Sequence, residues 1–159
     1  MNEIIINIHI NDARSVVEAL NNCFMNTKVI HLPKYLLVSI SRMRYDAITQ
    51  SQVKIYSRLF IDKTIIVQQR EYRLMAIIAH IGNTSGHFVI YIKDTDKEWI
   101  CFNDEKVNIV SQNEVNELIE GDNEIEHYRY CSEVSEYIKD IADTIRTASF
   151  LLYSLVIDE

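Results

Sequence analysis

The chain has 159 residues, of which 48% are hydrophobic and 25% are charged, and its net charge is −7. This size and composition predict one domain over residues 1–159 with a packed core, and they exclude a disordered chain. The acidic charge argues against a nucleic-acid partner, because such proteins need a basic surface. No segment approaches the roughly 18–20 consecutive apolar residues of a membrane-spanning helix, so no membrane partner is expected.

The three cysteines, Cys23, Cys101 and Cys131, are widely spaced and form no C-x-x-C pair. This spacing predicts neither a disulfide framework nor a structural zinc site. Reduced thiols fit a cytoplasmic or nuclear protein, and the first residues, MNEIIINIHIND, lack the basic region of a signal peptide. We expect no metal and no cofactor, since three of the histidines show no metal-ligand spacing: His9, His31 and His127.

The first half of the chain begins with a strand, because apolar residues alternate over residues 4–10. Asp12 is a plausible N-cap for the helix that follows, whose apolar residues recur at helical spacing: Ala13, Val16, Val17 and Leu20. A second strand is predicted over residues 36–40, just after Pro33, which suits the entry to a strand and not its interior. Residues 51–69 are ambiguous, with a strand favoured over 63–69.

The second half is rich in strands. The apolar run 72–81 predicts a strand buried on both faces, and a turn rich in glycine and polar residues follows over Gly82–Gly86. We expect residues 72–82 and 87–94 to pair as an antiparallel hairpin. Two shorter strands follow over residues 99–102 and 107–110, and we expect Trp99 and Phe102 to belong to the core or its edge.

The last third combines helices with one strand. Ser111 and Glu114 form a capping box, which predicts a short helix that ends at Gly121. A longer helix is predicted over 132–147, and a buried strand over 150–157. The fold class is therefore α+β, an antiparallel-rich sheet of roughly six strands with two or three helices.

One hairpin carries residues suited to chemistry. His87 begins a strand directly after Gly86, where a substrate backbone could pass close by. If the strand after it pairs with this one, Asn103 or Asp104 could hold the His87 ring in one tautomer, as in a Cys-His-Asn or Cys-His-Asp triad. On spacing alone a histidine beside a glycine is more often a turn residue, and His80 is interpreted as a structural strand residue.

Four segments in a fixed order resemble the ubiquitin-specific proteases, papain-like cysteine peptidases that cleave at the C-terminus of ubiquitin. They are LPKYLLVSISRMRYD (32–46), YRLMAIIAHIGNTSGHFVIYIK (72–93), WICFNDEKV (99–107) and ASFLLYSL (148–155). The second and third are similar to the family's histidine box and its W…FND box. The resemblance implies the palm of the papain-like catalytic domain, with ubiquitin or a ubiquitin-like protein as partner. It also implies His87 as the base, Asn103 as its orienting residue with Asp104 beside it, and Gly86 and Phe88 at the substrate.

The sequence also departs from the family pattern. Met43-Arg44 stands where an Arg-Phe pair is usual, and the two C-x-x-C pairs of the zinc-binding fingers are absent. Residues 21–27 resemble the family's nucleophile box, which would make Cys23 the nucleophile, but Glu18 then occupies the position of the oxyanion-hole asparagine. In the other alignment, which we favour, residues 3–20 are the strand and helix before the fingers and Cys23 is an ordinary, partly buried cysteine.

Two functions follow from these alternatives. The chain is either a thiol-dependent deubiquitinase with Cys23 as nucleophile, or a truncated, inactive relative that binds ubiquitin or another protein. In the second case it could dock on a larger assembly, or a separate chain could supply the nucleophile. The distance from the Cys23 sulfur to the His87 ring discriminates between them, since attack needs a separation within about 4 Å.

Overall fold

A computed structural model describes residues 5–10, 13–55, 59–82, 86–120 and 146–157. Several predicted features lie outside these residues, so the structure gives no account of them. They are the N-cap Asp12, the centre of the turn at 83–85, Gly121, Cys131 and the helix predicted over 132–147 up to residue 145.

The described residues form ten strands and two helices. In chain order they are β1 (Ile5–His9), α1 (Val16–Phe24), β2 (Tyr35–Ser41), β3 (Met43–Asp46), β4 (Ser51–Lys54), β5 (Thr64–Val67), β6 (Arg70–Gly82), β7 (Gly86–Lys93), β8 (Glu98–Asn103), β9 (Lys106–Ser111), α2 (Gln112–Glu120) and β10 (Arg146–Leu155). The fold class is α+β, as predicted.

Eight of the strands form one sheet in the order β1-β2-β10-β6-β7-β8-β9, with β5 pairing with part of β6. All its pairs are antiparallel except β1 with β2. The predicted hairpin is confirmed, because β6 and β7 pair antiparallel from Ala76 opposite Ile92 to Gly82 opposite Gly86. The strand β6 lies between β10 and β7, and its buried positions alternate with less buried ones, with a change of phase at Ala76 and Ile77. Its second face is therefore only partly buried, in contrast to the predicted burial on both faces.

The core lies on the face of the sheet that α1 and α2 cover. Alternate residues of a strand point to opposite faces, so β8 directs Trp99 and Cys101 into the core, where they are 1% and 6% exposed. The prediction for Trp99 is confirmed, and its Nε1 donates to Oε1 of Gln112 on α2 at 2.8 Å. Phe102 instead points to the other face and is 37% exposed, because it is one residue out of phase with Cys101.

The first helix begins later than the sequence pattern indicated. Its N-cap is Ser15, whose Oγ accepts from the Glu18 backbone N–H at 3.2 Å. The Glu18 carboxylate in turn accepts from the Arg14 backbone N–H at 2.8 Å. The Glu18 side chain therefore satisfies one free N–H group just before the N-cap, a role similar to that of a capping-box acid.

Two further differences concern strands. The final strand begins at Arg146, so the helix predicted through residue 147 is wrong for its last two positions, where pairing with β6 prevails over the helical spacing. The hairpin of β3 and β4 was not predicted at all. Its residues are mostly exposed, so no burial pattern marked it in the sequence.

Candidate active site

Two glycines shape the end of the β6–β7 hairpin. Gly82 has a φ of 102°, a conformation that side chains disfavour. At Gly86 an added Cβ would lie 1.9 Å from the Ile81 carbonyl oxygen and 2.8 Å from the His80 Nε2. Only glycine fits such an approach, so close contact between the two strands requires glycine at position 86.

The geometry brings His87 and Asn103 together. The strands β7 and β8 pair with Ile90 opposite Phe102, which places the start of β7 beside the end of β8. The His87 Nε2 lies 2.6 Å from the Asn103 Oδ1, within the hydrogen-bond reach that we predicted. Because an amide oxygen only accepts, Nε2 must carry the proton, and in the neutral ring Nδ1 keeps its lone pair.

Asp104 is a more distant neighbour of the same ring. Its Oδ2 lies 3.6 Å from the His87 Nε2, and its side chain is 78% exposed. Its φ of 51° belongs to the tight turn between β8 and β9. Asn103 is therefore the group that orients the His87 ring, while Asp104 adds a negative charge that water screens.

Phe88 faces away from His87. It is 52% exposed and lies on the opposite face of β7, where its ring centroid is 4.9 Å from that of its cross-strand neighbour His80. Of the two residues predicted to meet a substrate, Gly86 thus adjoins His87 directly, and Phe88 presents an apolar surface on the other side of the strand.

The structure does not bring Cys23 to His87. Cys23 lies in the last turn of α1, with its Sγ 3.7 Å from the carbonyl oxygen of Asn7 on β1. The strands β2, β10 and β6 separate β1 from β7. Four interstrand spacings of about 4.8 Å make this separation roughly 19 Å. The other described thiol, Cys101, is buried and sits on β8 opposite Tyr91, four positions along β7 from His87.

Lys54, the last residue of β4, was assigned no role from the sequence pattern. Its ammonium contacts His80 and Gly82 at the end of β6, just before the turn that leads to His87. Lys54 falls in the ambiguous segment 51–69, and only the adjacent apolar Val53 and Ile55 could have suggested a partly buried position.

The described residues contain neither a cluster of possible metal ligands nor a helix that could span a membrane. No group of three or more His, Cys, Asp or Glu side chains in that part of the chain could hold a metal ion. Neither α1 nor α2 has the length and apolar character to cross a bilayer.

Comparison with known proteins agrees with the geometry. The family model described as "Ubiquitin carboxyl-terminal hydrolase" matches residues 4–153. The chain is 28% identical over 102 residues to ubiquitin carboxyl-terminal hydrolase 10 of Saccharomyces cerevisiae, covering 59% of this chain and 13% of that protein. It is 31% identical over 106 residues to human Ubl carboxyl-terminal hydrolase 18, covering 55% of this chain and 28% of that protein.

Solved structures with the same fold include a chain of the yeast SAGA DUB module, with a TM-score of 0.64 and 19% identity over 97% of this chain and 34% of that one. Another is a chain of the SAGA Ubp8/Sgf11/Sus1/Sgf73 DUB module, with a TM-score of 0.64, 17% identity and coverage of 97% and 33%. The present chain therefore spans about a third or less of the proteins it resembles. The match over residues 4–153 nevertheless covers most of its length, and the chain belongs to the ubiquitin carboxyl-terminal hydrolase family.

Proposed function

We propose that this chain carries the histidine side of a thiol-dependent hydrolase site for the C-terminus of ubiquitin or a ubiquitin-like protein. The observation that carries the proposal is the 2.6 Å hydrogen bond between the His87 Nε2 and the Asn103 Oδ1, next to the closely packed Gly86. This pair supplies two members of a Cys-His-Asn triad in the tautomer that such a triad needs.

The chemistry requires the free nitrogen of His87. Nδ1 takes the proton of a thiol, and the thiolate attacks the carbonyl carbon of the amide that joins the ubiquitin tail to its target. The imidazolium then protonates the leaving amine as the C–N bond breaks, and water hydrolyses the resulting thioester with His87 again as base. Asn103 holds the ring in one orientation through both steps, and the extended tail would pass the start of β7, where Gly86 directly precedes His87.

The nucleophile in this proposal is not Cys23. Cys23 contacts Asn7 on β1, and β1 and the strand of His87 are roughly 19 Å apart by strand spacing, far beyond the reach of proton transfer. Glu18, which one alignment placed at the oxyanion hole, binds a helix-start N–H instead. We propose that the thiol comes from outside the described residues, either in the same polypeptide or in another chain of a larger assembly.

The position of Cys23 favours a second candidate, a ubiquitin-binding module that does not hydrolyse by itself. An exposed apolar side chain near the site suits binding, since Phe88 follows His87 on β7 and is 52% exposed, although it lies on the face of the strand opposite to His87. The similar solved chains belong to multi-subunit DUB modules, and docking within a larger assembly is proposed here by analogy. The described cysteines are free thiols, which suits the proposed cytoplasmic or nuclear location.

Binding of ubiquitin to the isolated chain tests what both candidates share. We expect titration calorimetry to detect binding that weakens at least about 10-fold when ubiquitin lacks its C-terminal tail, because the tail is the part that meets Gly86. Phe88→Ala should weaken binding, whereas Phe60→Ala, at another exposed phenylalanine, serves as the matched control and should not. Equal affinity for intact and tailless ubiquitin would contradict the proposed site.

Turnover of a fluorogenic ubiquitin C-terminal amide separates the two candidates. If the thiol lies outside this chain, the isolated chain should be nearly inactive, and a ubiquitin probe with a C-terminal electrophile should leave Cys23 unlabelled. Labelling at another cysteine that requires His87 would favour the enzyme. Robust turnover abolished by both Cys23→Ala and His87→Ala would show that Cys23 is the nucleophile after all.

A further inference from the structure

A buried lysine connects the β3–β4 hairpin to the strand that precedes the site. Lys54 is 8% exposed, and its Nζ lies 2.9 Å from the His80 Nδ1, 3.3 Å from the His80 carbonyl oxygen and 2.6 Å from the Gly82 carbonyl oxygen. These acceptors belong to the last three residues of β6. The ammonium therefore binds the strand at the point where it turns toward His87.

The contact with Gly82 extends the row of hydrogen bonds on the β10 side of β6. The Thr147 Oγ1 on β10 donates to the His80 carbonyl oxygen, so that carbonyl points to the β10 side. The Lys54 ammonium contacts both the His80 and the Gly82 carbonyl oxygens, so the Gly82 oxygen lies near the same side. The described β10 register ends with Arg146 opposite Ile81, and Lys54 donates to Gly82 one residue further along.

The contact with His80 fixes a second group. An ammonium only donates, so the His80 Nδ1 must accept, and the proton of the neutral ring is on Nε2. Burial and the charge of Lys54 both lower the pKa of His80, which favours the neutral ring. The His80 Nε2 lies 2.8 Å from the position that a Cβ on Gly86 would take, so the ring held by Lys54 packs against the first residue of β7.

A neighbouring cation anchors the same hairpin to β10. Arg42 immediately precedes β3, and its Nε donates to the Ala148 carbonyl oxygen at 2.7 Å. The backbone N–H of Ile55 donates to the Arg42 carbonyl oxygen at 2.6 Å, which closes the base of the hairpin. Arg42 and Lys54 thus join this base to the ends of two adjacent strands, and both side chains are 8% exposed.

We propose that Lys54 is a positioning residue of the histidine site: by binding Gly82 and His80 it fixes the hairpin end from which His87 reaches Asn103. The inference rests on the proposed function only where it treats His87 as a catalytic base, because the positioning of the ring is a property of the protein without ubiquitin. Charge-assisted hydrogen bonds to carbonyl oxygens are stronger and more directional than neutral ones, which suits them to hold a turn whose two glycines impose few restraints of their own.

Nuclear magnetic resonance of the whole chain tests the inference without ubiquitin. The variants are Lys54→Met, which keeps a stem of similar length and removes the ammonium, and Lys54→Arg, which keeps the charge. Lys93→Met at the far end of β7, where the ammonium pairs with Asp96 at 3.0 Å, is the matched control. The readouts are the ring nitrogens of His80 and His87 and amide exchange along β6 and β7.

In Lys54→Met we expect the His80 ring to lose its single tautomer and the His87 ring signals to shift. Amides at the hairpin end should exchange roughly 10- to 100-fold faster, as loss of a hydrogen bond to a charged group implies. The amide of Ile77 in the centre of β6 should stay protected, which separates a local change from unfolding. Lys54→Arg should restore most of the wild-type signals, and Lys93→Met should leave the ring signals and the amides at the hairpin end unchanged.

Unchanged His87 signals and exchange in a folded Lys54→Met protein would overturn the inference, even if the His80 tautomer changes. If Lys54→Met does not fold, Lys54→Gln replaces it, since glutamine keeps a neutral donor, and the same criteria apply. Failure to bind ubiquitin would refute the proposed function but would not affect the positioning role of Lys54 measured by resonance. An unaffected His87 would refute the positioning role while ubiquitin binding stands.

Discussion

Replacing Trp99 with alanine should lower the free energy of unfolding by about 3–5 kcal/mol. The side chain is 1% exposed on the core face of β8, and an aromatic ring buries roughly 150–250 Å². At about 25 cal/mol per Å² this area corresponds to about 4–6 kcal/mol, part of which the alanine methyl group retains. The change also removes the donor to the Gln112 Oε1, although Gln112 keeps its bond to Asn116.

Two companion variants separate these contributions in urea unfolding of the isolated chain. Trp99→Phe keeps most of the apolar area and removes the indole N–H, so we expect a loss of about 1–2 kcal/mol. Phe102→Ala lies on the same strand but on the exposed face, and it should cost less than about 1.5 kcal/mol. A loss below about 1 kcal/mol for Trp99→Ala, or one no larger than that for Phe102→Ala, would refute the assignment of the two faces of β8.

Three further variants test the turn, the first helix and the buried lysine. In Gly86→Ala, the new methyl group would lie 1.9 Å from the Ile81 carbonyl oxygen, and the two must move at least 3.0 Å apart. The variant should therefore lower the free energy of unfolding by about 1–3 kcal/mol in urea. An unchanged free energy would contradict this close contact at the hairpin end. Cys23→Ala should leave ubiquitin binding unchanged in calorimetry, and a large loss would place Cys23 at the site. Burial and the charge of Arg42 lower the pKa of Lys54 from 10.5 to about 8. Between these pH values Lys54 is more often protonated in the unfolded chain than in the folded one, so the free energy of unfolding rises with pH. Relative to Lys54→Met, the wild type should gain about 2 kcal/mol from pH 7 to 9.5, and a flat or falling difference in urea unfolding would contradict the lowered pKa.

The parts of the fold that followed from sequence are those where burial and chemistry act on neighbouring residues. The apolar run before Gly82 and the polar turn after it predicted the β6–β7 hairpin, and the spacing of the two boxes predicted the contact of His87 with Asn103. Each depends on a hairpin between consecutive strands, which fixes register over a short loop.

The remaining features depend on long-range contacts or on exposed residues. The role of Lys54 depends on a contact between the β3–β4 hairpin and His80 on β6, 26 residues further along the chain. The hairpin has no hydrophobic pattern from which this contact could be predicted. The start of β10 at Arg146 depends on pairing with Ile81, which outweighs the helical spacing of the residues before it. The separation of Cys23 from His87 depends on strand order, which local propensity does not encode. The sequence favoured the ordinary role for Cys23 because neither Glu18 nor the helical pattern of residues 16–20 fits a nucleophile box.

The central place of β10 has a consequence for how the protein is made. This strand follows all the other described strands in the chain, yet it pairs with β2 on one side and β6 on the other. Until the ribosome has released residues 146–155, β2 and β6 expose unpaired edges that invite association with other chains. Pairs as distant in sequence as Leu37 and Leu152 also form slowly. The nascent chain therefore completes its sheet only after β10 has emerged, and it is most vulnerable to aggregation, and most in need of a chaperone, before that moment.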